Sequence, residues 1–309
     1  MVSIATWNVE NLFTPDADSG PDTAAEFAAK ADALAATISE MDPDVLALQE
    51  IGALGALENV LGRVGGRWYV ETAEPDGRGI RVAIAARTPL SQVYQVGPFL
   101  DGLRPVQVDD TAVGETAMGR PALHAVVDGV HVLTCHLKSK LLTFPGGRFS
   151  PRDEDERARF ATYALFRRAA EAATVRAAAT TILAADGDAP LVVLGDLNDT
   201  VDAATTQLMA GPPGSEIGTG GYTQPDSGDR QRLWNLAAHI PEDQRFSRIY
   251  RGRRELIDHI LVSHALVDQI ADGAVTTDHA GVTPSVTDNP AERRNSPGSD
   301  HRPVMAIAS

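Results

Sequence analysis

Five parts of the sequence place acid, amide, imidazole and lysine side chains at the ends of apolar runs of strand length. They are residues 6–11, 44–50, 134–140 and 191–199, and a last part split between 256–263 and 299–303. Because a strand fixes its own backbone, polar residues at several strand ends can converge on one pocket. Carboxylates and amides there can hold a cation, and histidine and lysine can meet a phosphate. The pattern predicts a polar, reactive pocket.

Taken one at a time, most of these parts also have an ordinary structural interpretation. Asn8 can be exposed beside a buried tryptophan, and Glu50 can be a solvated residue at a strand end. His136 follows an apolar strand, where histidine is more often structural than catalytic, and the lysines after it can be surface charge. Asp196 and Asn198 suit a turn. However, these two alternate along the chain, so they can also point to one side of it.

Asp258 is the residue that an ordinary interpretation explains least. It lies inside an apolar strand pattern, where a carboxylate is costly to bury unless it is paired. A histidine would serve as its partner. Asp300 and His301, just before the last strand, can supply that imidazole and a further metal-binding carboxylate. A solvated turn would explain Asp300 and His301 but would leave Asp258 without a partner.

Short strands, with two helical patterns between them, must position these residues. Each predicted strand is an apolar run flanked by Gly, Pro, Asp or Asn. The predicted strands are residues 2–9, 45–48, 81–86, 122–127, 130–137, 191–194, 256–262 and 303–308. The first helix is predicted over residues 24–41, where apolar residues recur at three- or four-residue spacing.

The second helix is predicted over about residues 151–185, which are rich in alanine. Ser150 would cap it and Pro151 suits its first position. Gly187 and Pro190 would end it before the next strand.

The order of these elements predicts one α/β domain over residues 1–309, closed by its own termini. Strands occur at both ends and in the middle of the chain, with the helices between them. Residues 209–232 and 272–299 are predicted to be long loops because they are rich in Gly, Pro, Asp and Ser. Loops of that length are usually functional or mobile.

Composition excludes several classes of protein. The net charge of −15 argues against sequence-independent binding of long nucleic acid through a wide basic face, although a local basic rim remains compatible with it. Cys135 is the only cysteine, so an internal disulfide and a multi-cysteine metal site are excluded. No apolar run approaches the ~20 residues of a membrane span, and no leader peptide follows Met1. We therefore expect a cytoplasmic protein, or a secreted one if a leader was trimmed, and infer no protein partner.

Together, the motifs resemble the endonuclease/exonuclease/phosphatase superfamily, which includes DNase I-like nucleases, abasic-site endonucleases, sphingomyelinases and inositol-polyphosphate phosphatases. The matching pieces are TWNVENL, DPDVLALQE, HLKSK, GDLND, IDHILVS and SDHRPV, in the family's order over residues 3–304. The resemblance implies a DNase I-like fold, a four-layer α/β sandwich of two sheets with helices on its outer faces.

The resemblance also implies roles for the matching residues. Glu50 would be the principal metal carboxylate, with Asn8 and Asp300 helping to hold the ion. Asp196 would orient or deprotonate the attacking water, and Asn198 would position that water and contact the phosphate.

The histidines would act on the phosphate itself. His301, held by Asp258, would stabilise its charge or act as the base, and His136 would contact the phosphate or assist the leaving group. Substrate-binding cations are candidates only, since each can equally be surface charge: Arg78, Arg120, Lys138 and Arg251.

The implied function is metal-dependent phosphoester hydrolysis, with Mg²⁺ as cofactor and Mn²⁺ as substitute. A nuclease acting on DNA or RNA is favoured, because residues 251–254 read RGRR and the nearby sequence resembles nuclease branches. The alternative is a phosphodiesterase or phosphatase for a small molecule or lipid headgroup. A non-catalytic binding protein is disfavoured, because such a protein should have lost Glu50, Asp196 or His301.

Overall fold

The apolar runs pair into two six-stranded β-sheets in a computed structural model that describes residues 2–111, 113–279, 281–289 and 292–308. The first sheet contains, in order across it, β13 (Ile270–Thr276), β15 (Val304–Ala308), β1 (Val2–Leu12), β2 (Val45–Ile51), β4 (Arg81–Ala86) and β3 (Tyr69–Thr72). The second contains β5 (Leu90–Pro98), β6 (Ala117–Val127), β7 (Val130–His136), β8 (Leu191–Asp196), β12 (Asp258–Val262) and β9 (Trp234–Asn235). A small third sheet contains β11 (Arg253–Glu255), β10 (Arg248–Tyr250) and β14 (Ser285–Val286).

Five α-helices and four short 3₁₀ turns connect the strands in the described part of the chain. The helices are α1 (Ala24–Met41), α2 (Leu54–Val64), α3 (Glu154–Ala185), α4 (Ala204–Ala210) and α5 (His264–Val267). The 3₁₀ turns are Asp101–Leu103, Asp229–Gln231, Leu236–His239 and Glu242–Gln244. None of these helices is both long enough and apolar enough to cross a lipid bilayer.

Three apolar cores separate four layers. Between the two sheets, Ile84 of the first sheet packs in the same cluster as Leu194 of the second. Outside the first sheet, Leu34 and Leu57, from α1 and α2, join a second cluster with the strand residues. Outside the second sheet, Val175 of α3 joins a third. The predicted two-sheet α/β sandwich with helices on its outer faces is confirmed.

All eight predicted strand segments coincide with observed strands, but shorter and less apolar elements escaped the sequence patterns. Helix α2 was missed although Leu57, Val60, Leu61 and Val64 keep helical spacing, because Gly55 and Gly62 lower its helix propensity. The predicted loop 209–232 begins inside α4. The predicted loop 272–299 contains the end of β13 and all of β14.

The long helix begins three residues later than the sequence predicted. Asp153, not Ser150, is its N-cap, and the Asp153 carboxylate accepts the Glu156 backbone N–H at 2.7 Å. Pro151 therefore lies before the helix. The Glu156 carboxylate also accepts the Arg152 backbone N–H at 2.5 Å, which fixes the chain at this entry point.

We expect Asp153→Ala to lower the free energy of unfolding by about 1 kcal/mol, the usual cost of a lost N-cap. Ser150→Ala is the matched control. Because Ser150 is exposed and does not cap the helix, its loss should change that free energy by less than about 0.5 kcal/mol. Urea denaturation of both variants measures the difference. Equal effects would contradict the assignment of Asp153 as the cap.

Candidate active site

Strand ends deliver polar side chains to a cavity of about 260 Å³ at one end of the sandwich. β1 and β2 run parallel in one sheet, as do β7 and β8 in the other, so their carboxyl ends meet there. Eight of the twelve predicted site residues line this cavity: Asn8, Glu50, Arg78, His136, Asp196, Asn198, Asp300 and His301. The sequence patterns and the tertiary structure thus converge on one place.

Period-two alternation explains why the polar residues face inward. Val192 and Leu194 of β8 lie in the core between the sheets, so Asp196, two residues on, shares their face. Asp258 lies opposite Asp196 in the neighbouring strand β12, and Ile260 continues the Asp258 face into the core. The cavity is therefore the polar end of the inter-sheet core.

A buried glutamine joins the two sheets beneath the cavity. The Gln49 amide nitrogen donates to the Thr6 hydroxyl at 3.1 Å and to the Thr134 hydroxyl, in the opposite sheet, at 3.2 Å. Gln49 and Thr134 are fully buried. The sequence analysis missed this link, although a polar residue at an inward position of an apolar strand is the same signal that singled out Asp258.

Glu50 reaches the cavity through an irregularity at the end of β2. Regular alternation would turn it away, because Gln49 before it already faces inward. Instead, Glu50 adopts a left-handed backbone with φ 63°, and the pairing of β2 with both neighbours shifts at this point. Its carboxylate accepts the Asn11 backbone N–H at 2.8 Å and approaches the Asn8 amide nitrogen at 3.4 Å.

Asp196 is the hydrogen-bonding centre of the site. Its carboxylate accepts the Asn8 amide nitrogen at 3.0 Å and the Asn198 backbone N–H at 2.8 Å, and it lies 3.5 Å from His136 Nε2. Burial and the neighbouring Asp258 carboxylate raise the pKa of Asp196 to about 7. Because the Asn8 amide contacts both carboxylates, Asn8 lies between Asp196 and Glu50 and orients both.

Asp258 has the histidine partner that its burial demanded. His301 Nδ1 lies 2.7 Å from Asp258 Oδ2, and the Asp258 side chain is completely buried. The Trp7 indole donates to the His301 carbonyl at 2.9 Å, and the Ser247 hydroxyl accepts the Asp258 backbone N–H at 3.1 Å. These contacts hold the imidazole ring at the cavity wall.

The two cavity histidines differ in charge at neutral pH. Burial opposes the charged form of His301, but Asp258 and Asp300 outweigh it and raise the pKa of His301 to about 10. Burial and the Arg120 guanidinium hold the pKa of His136 well below its ordinary value. His301 is thus an imidazolium donor, while His136 is neutral.

We expect Asp258→Asn to bring the pKa of His301 down toward its ordinary value near 6.5, because the largest favourable charge is lost while burial remains. An NMR titration of the ¹⁵N-labelled imidazole in metal-free protein measures this. Asp188→Asn, which removes an exposed carboxylate outside the cavity, is the matched control and should leave the titration unchanged. An unchanged His301 titration in Asp258→Asn would contradict the charge assignment.

Four predicted cations are placed in different surroundings. Arg78 lines the cavity, with Nη2 3.4 Å from the Asn11 amide oxygen. Arg120 donates to two backbone carbonyls at the end of β7, both at 3.2 Å. The Lys138 ammonium donates to carbonyls of its own loop, and Arg251 binds the Asp288 carboxylate. Only for Arg78 does the structure add proximity to the cavity, and substrate binding by all four stays a prediction.

Several residues that line the cavity were not among the twelve site residues predicted from the sequence. Lys140 follows β7, and Arg248 and Tyr250 belong to the third sheet. Arg293 forms a two-pronged contact with Glu10 at 2.9–3.1 Å. The sequence did contain signals for Lys140, Arg248 and Tyr250. Lys140 is the second lysine of HLKSK, and Arg248 and Tyr250 come just before RGRR, but neither pattern shows which of these side chains reaches the cavity.

The donor set suits a hard divalent cation. Glu50, Asp196 and Asp300 bring three carboxylates to the cavity. Asp258 Oδ1 is buried and has no hydrogen-bond partner among the described residues. Asp196 and Asp258 also lie close to His301, with one ligand atom of each within 4.8 Å of the others, but His301 as an imidazolium has no free nitrogen for an ion. Carboxylate oxygens of this kind are the ligands that Mg²⁺ and Mn²⁺ prefer, so the residues present fit such an ion.

Comparison with known families agrees with this geometry. The sequence matches the Endonuclease/Exonuclease/phosphatase family over residues 5–301, which include every residue of the cavity. The chain belongs to that family. Endonuclease/exonuclease/phosphatase proteins are hydrolytic enzymes that generally use a divalent metal ion. A search of curated proteins gave no match to the chain.

Solved structures share the endonuclease/exonuclease/phosphatase fold at low sequence identity. An AP endonuclease from Archaeoglobus fulgidus is 15% identical, with a TM-score of 0.58 and full coverage of both chains. A 3′-5′ exonuclease from Neisseria meningitidis is 20% identical, with a TM-score of 0.55 and the same coverage. A Neisseria 3′ phosphatase bound to a product DNA hairpin is 20% identical, with a TM-score of 0.52 and full coverage of both chains.

Proposed function

We propose that this protein is a metal-dependent phosphodiesterase that cleaves nucleic acid. The observation that carries the proposal is the convergence of Glu50, Asp196 and the His301–Asp258 pair on one cavity. These groups supply a metal carboxylate, a candidate base and a fixed positive donor, which together match what phosphoester hydrolysis needs. A purely structural role gives no reason to bury these charged groups together, because buried charges cost stability.

Glu50 and Asp300 would hold the ion, with Asn8 helping by keeping Glu50 in place. A bound divalent ion would offset negative charge on the phosphate and lower the pKa of water. Mg²⁺ is the expected ion, because a sparse oxygen site lets it keep several waters, and Mn²⁺ should replace it.

The remaining groups would act on water and phosphate. Asp196 would accept the proton of the attacking water, since a pKa of about 7 suits a base at neutral pH. Asn198 would position that water. His301, fixed as an imidazolium, would donate to a phosphate oxygen and stabilise its growing charge. Neutral His136 would contact the phosphate or the leaving group.

A nucleic-acid substrate is supported by the proteins that share the fold, which are named as an AP endonuclease, a 3′-5′ exonuclease and a 3′ phosphatase bound to DNA. Arg78 at the cavity would be the first contact to the backbone. Arg120, Lys138 and Arg251 remain candidates for further phosphates along a bound strand.

A small phosphoester is the second candidate, and one observation favours it. Two of the cavity arginines already face carboxylates of the same cavity: Arg293 binds Glu10, and Arg248 lies 3.7 Å from Asp300. A wall neutralised in this way, in a chain of net charge −15, offers little attraction to a long polyanion.

The test is incubation of the purified protein with supercoiled plasmid and Mg²⁺ or Mn²⁺, with the Asp196→Asn protein as the control for contaminating nuclease. Nicking by the wild type alone would establish DNA cleavage. An intact plasmid together with hydrolysis of bis(p-nitrophenyl) phosphate would move the assignment to the small phosphoester. Failure of both reactions with either metal would overturn the hydrolase and favour a binding protein.

A further inference from the structure

The loop that follows β7 carries two lysines whose surroundings differ sharply. The Lys138 ammonium turns back into the loop and donates to the carbonyls of Ser139 at 3.0 Å and Leu141 at 2.9 Å. The Lys140 side chain is 49% exposed and lies on the cavity wall between Ser139 and Leu141. Lys138 thus holds the loop, whereas Lys140 presents its charge to the cavity.

Buried charges on α3 fix this loop from behind. Arg168 donates to the Lys138 carbonyl at 3.1 Å, and the Glu171 carboxylate accepts the Lys138 backbone N–H at 2.5 Å. Arg168 and Glu171 are 6% and 2% exposed. Helix α3 therefore buries one positive and one negative side chain, and both contact this loop. Burying such charges is costly, and a site that must place a group accurately is a reason to retain them.

Asp199 connects this support to Lys140. Its carboxylate lies 2.9 Å from Lys140 Nζ and 3.1 Å from Arg168 Nε, and it also accepts the Thr205 hydroxyl at 2.6 Å. One carboxylate thus faces two cations, so the group keeps a net positive charge. Asp199 directly follows Asn198, which lines the same cavity.

Lys140 differs in this respect from two other cations of the wall. The partners of Arg293 and Arg248, Glu10 and Asp300, themselves face the cavity, so these two ion pairs bring no net positive charge to it. The carboxylate that holds Lys140 is only 10% exposed and lies behind the wall.

We propose that Lys140 binds the substrate phosphate and that Asp199 is the positioning residue that holds its ammonium at the cavity. This inference rests on the proposed phosphoesterase function and adds a specific binding contact to it. The ligand chemistry is a phosphate oxyanion, which can belong to a nucleic acid or to a small ester.

The test is a steady-state comparison of Lys140→Met, Lys140→Arg and wild type with bis(p-nitrophenyl) phosphate and Mg²⁺, using inorganic phosphate as a competitive inhibitor. We expect Lys140→Met to raise both KM and the inhibition constant of phosphate about tenfold, the effect of one lost charged contact, with kcat changed much less. Lys140→Arg should stay within about threefold of wild type, because it keeps the charge. Arg157→Met removes an exposed positive charge at the start of α3 and controls for net charge.

A double-mutant cycle tests the role of Asp199. If Asp199 acts only through Lys140, the single variant Asp199→Asn should raise KM. In the Lys140→Met background, the same change should raise KM no further. Additive effects would overturn the positioning role, and a KM for Lys140→Met within threefold of wild type would overturn the phosphate contact. Absence of hydrolysis of both bis(p-nitrophenyl) phosphate and plasmid by the wild type would instead refute the proposed function, so the two failures are distinguishable.

Discussion

Replacing Asp196 with asparagine is expected to lower kcat by about a thousandfold while the protein stays folded. The carboxylate is the proposed base, and an amide of the same shape cannot accept the proton of water. The fold should tolerate the change, because the amide keeps one oxygen to accept either Asn8 or the Asn198 backbone N–H. The change also removes the repulsion between Asp196 and the buried Asp258 carboxylate.

The same variant should alter how stability depends on pH in metal-free protein. The pKa of Asp196 is raised to about 7 in the folded protein, from an ordinary value of 3.8. The folded state therefore binds this proton more tightly than the unfolded state. The resulting stabilisation is full below about pH 4 and is lost as the pH rises toward 7. Asparagine does not titrate, so Asp196→Asn should gain stability relative to wild type between pH 4 and pH 8.

Single-turnover hydrolysis of bis(p-nitrophenyl) phosphate and urea denaturation at several pH values measure the two effects. Asp188→Asn is the matched control, because Asp188 is 71% exposed and lies outside the cavity. Retention of more than a tenth of wild-type kcat by Asp196→Asn would exclude Asp196 as the base. A stability difference that does not change with pH would exclude its raised pKa.

Replacing Glu50 with glutamine is expected to raise the Mg²⁺ concentration needed for half-maximal activity by about ten- to a hundredfold. Metal affinity depends on the number of charged oxygen ligands, and this change removes the charge of one of them. Glutamine can keep one of the two contacts, to the Asn11 backbone N–H or to Asn8, so the local backbone should persist.

Calorimetric titration of the chelator-treated protein with Mn²⁺ measures the affinity directly, without relying on turnover. Glu58→Gln, an exposed change on α2, is the control. If Glu50→Gln loses activity but binds Mn²⁺ as wild type does, Glu50 is not a ligand, and its role is limited to orienting Asn8.

By itself, the sequence determined where most strands lie and which of its polar residues would line the cavity. Eight apolar runs predict strands because a buried strand needs continuous or alternating apolar residues, and those patterns are local. Alternation also places Asp196 and Asp258 on the inward face, since both continue the face of apolar core residues. The partner of Asp258 could be predicted as a histidine because an unpaired buried carboxylate is too costly, and His301 is that partner.

Strand alternation does not predict the orientation of every site residue, and for the others only the tertiary structure decided it. Glu50 faces the cavity because a left-handed residue and a shift of register reverse the rule at the end of β2. Lys140 lines the cavity, whereas Lys138 turns back into its loop. This follows from contacts of the loop with Arg168 and Asp199, which are distant in sequence. The start of α3 likewise depends on side-chain contacts of its first turn, which any of several acidic residues could have made.

The cavity wall formed by the third sheet could not be predicted from the sequence either, because it also depends on contacts between distant segments. Its strands are two or three residues long, and β14 pairs with β10 across more than thirty positions of the chain. Arg248 and Tyr250 of β10 line the cavity, and Arg248 also forms a β-bridge with His301. Local patterns fix which residues are buried and which must find partners, because burial and desolvation act on each residue. Which long side chains reach the site depends on contacts between distant segments, and these exist only in the folded chain.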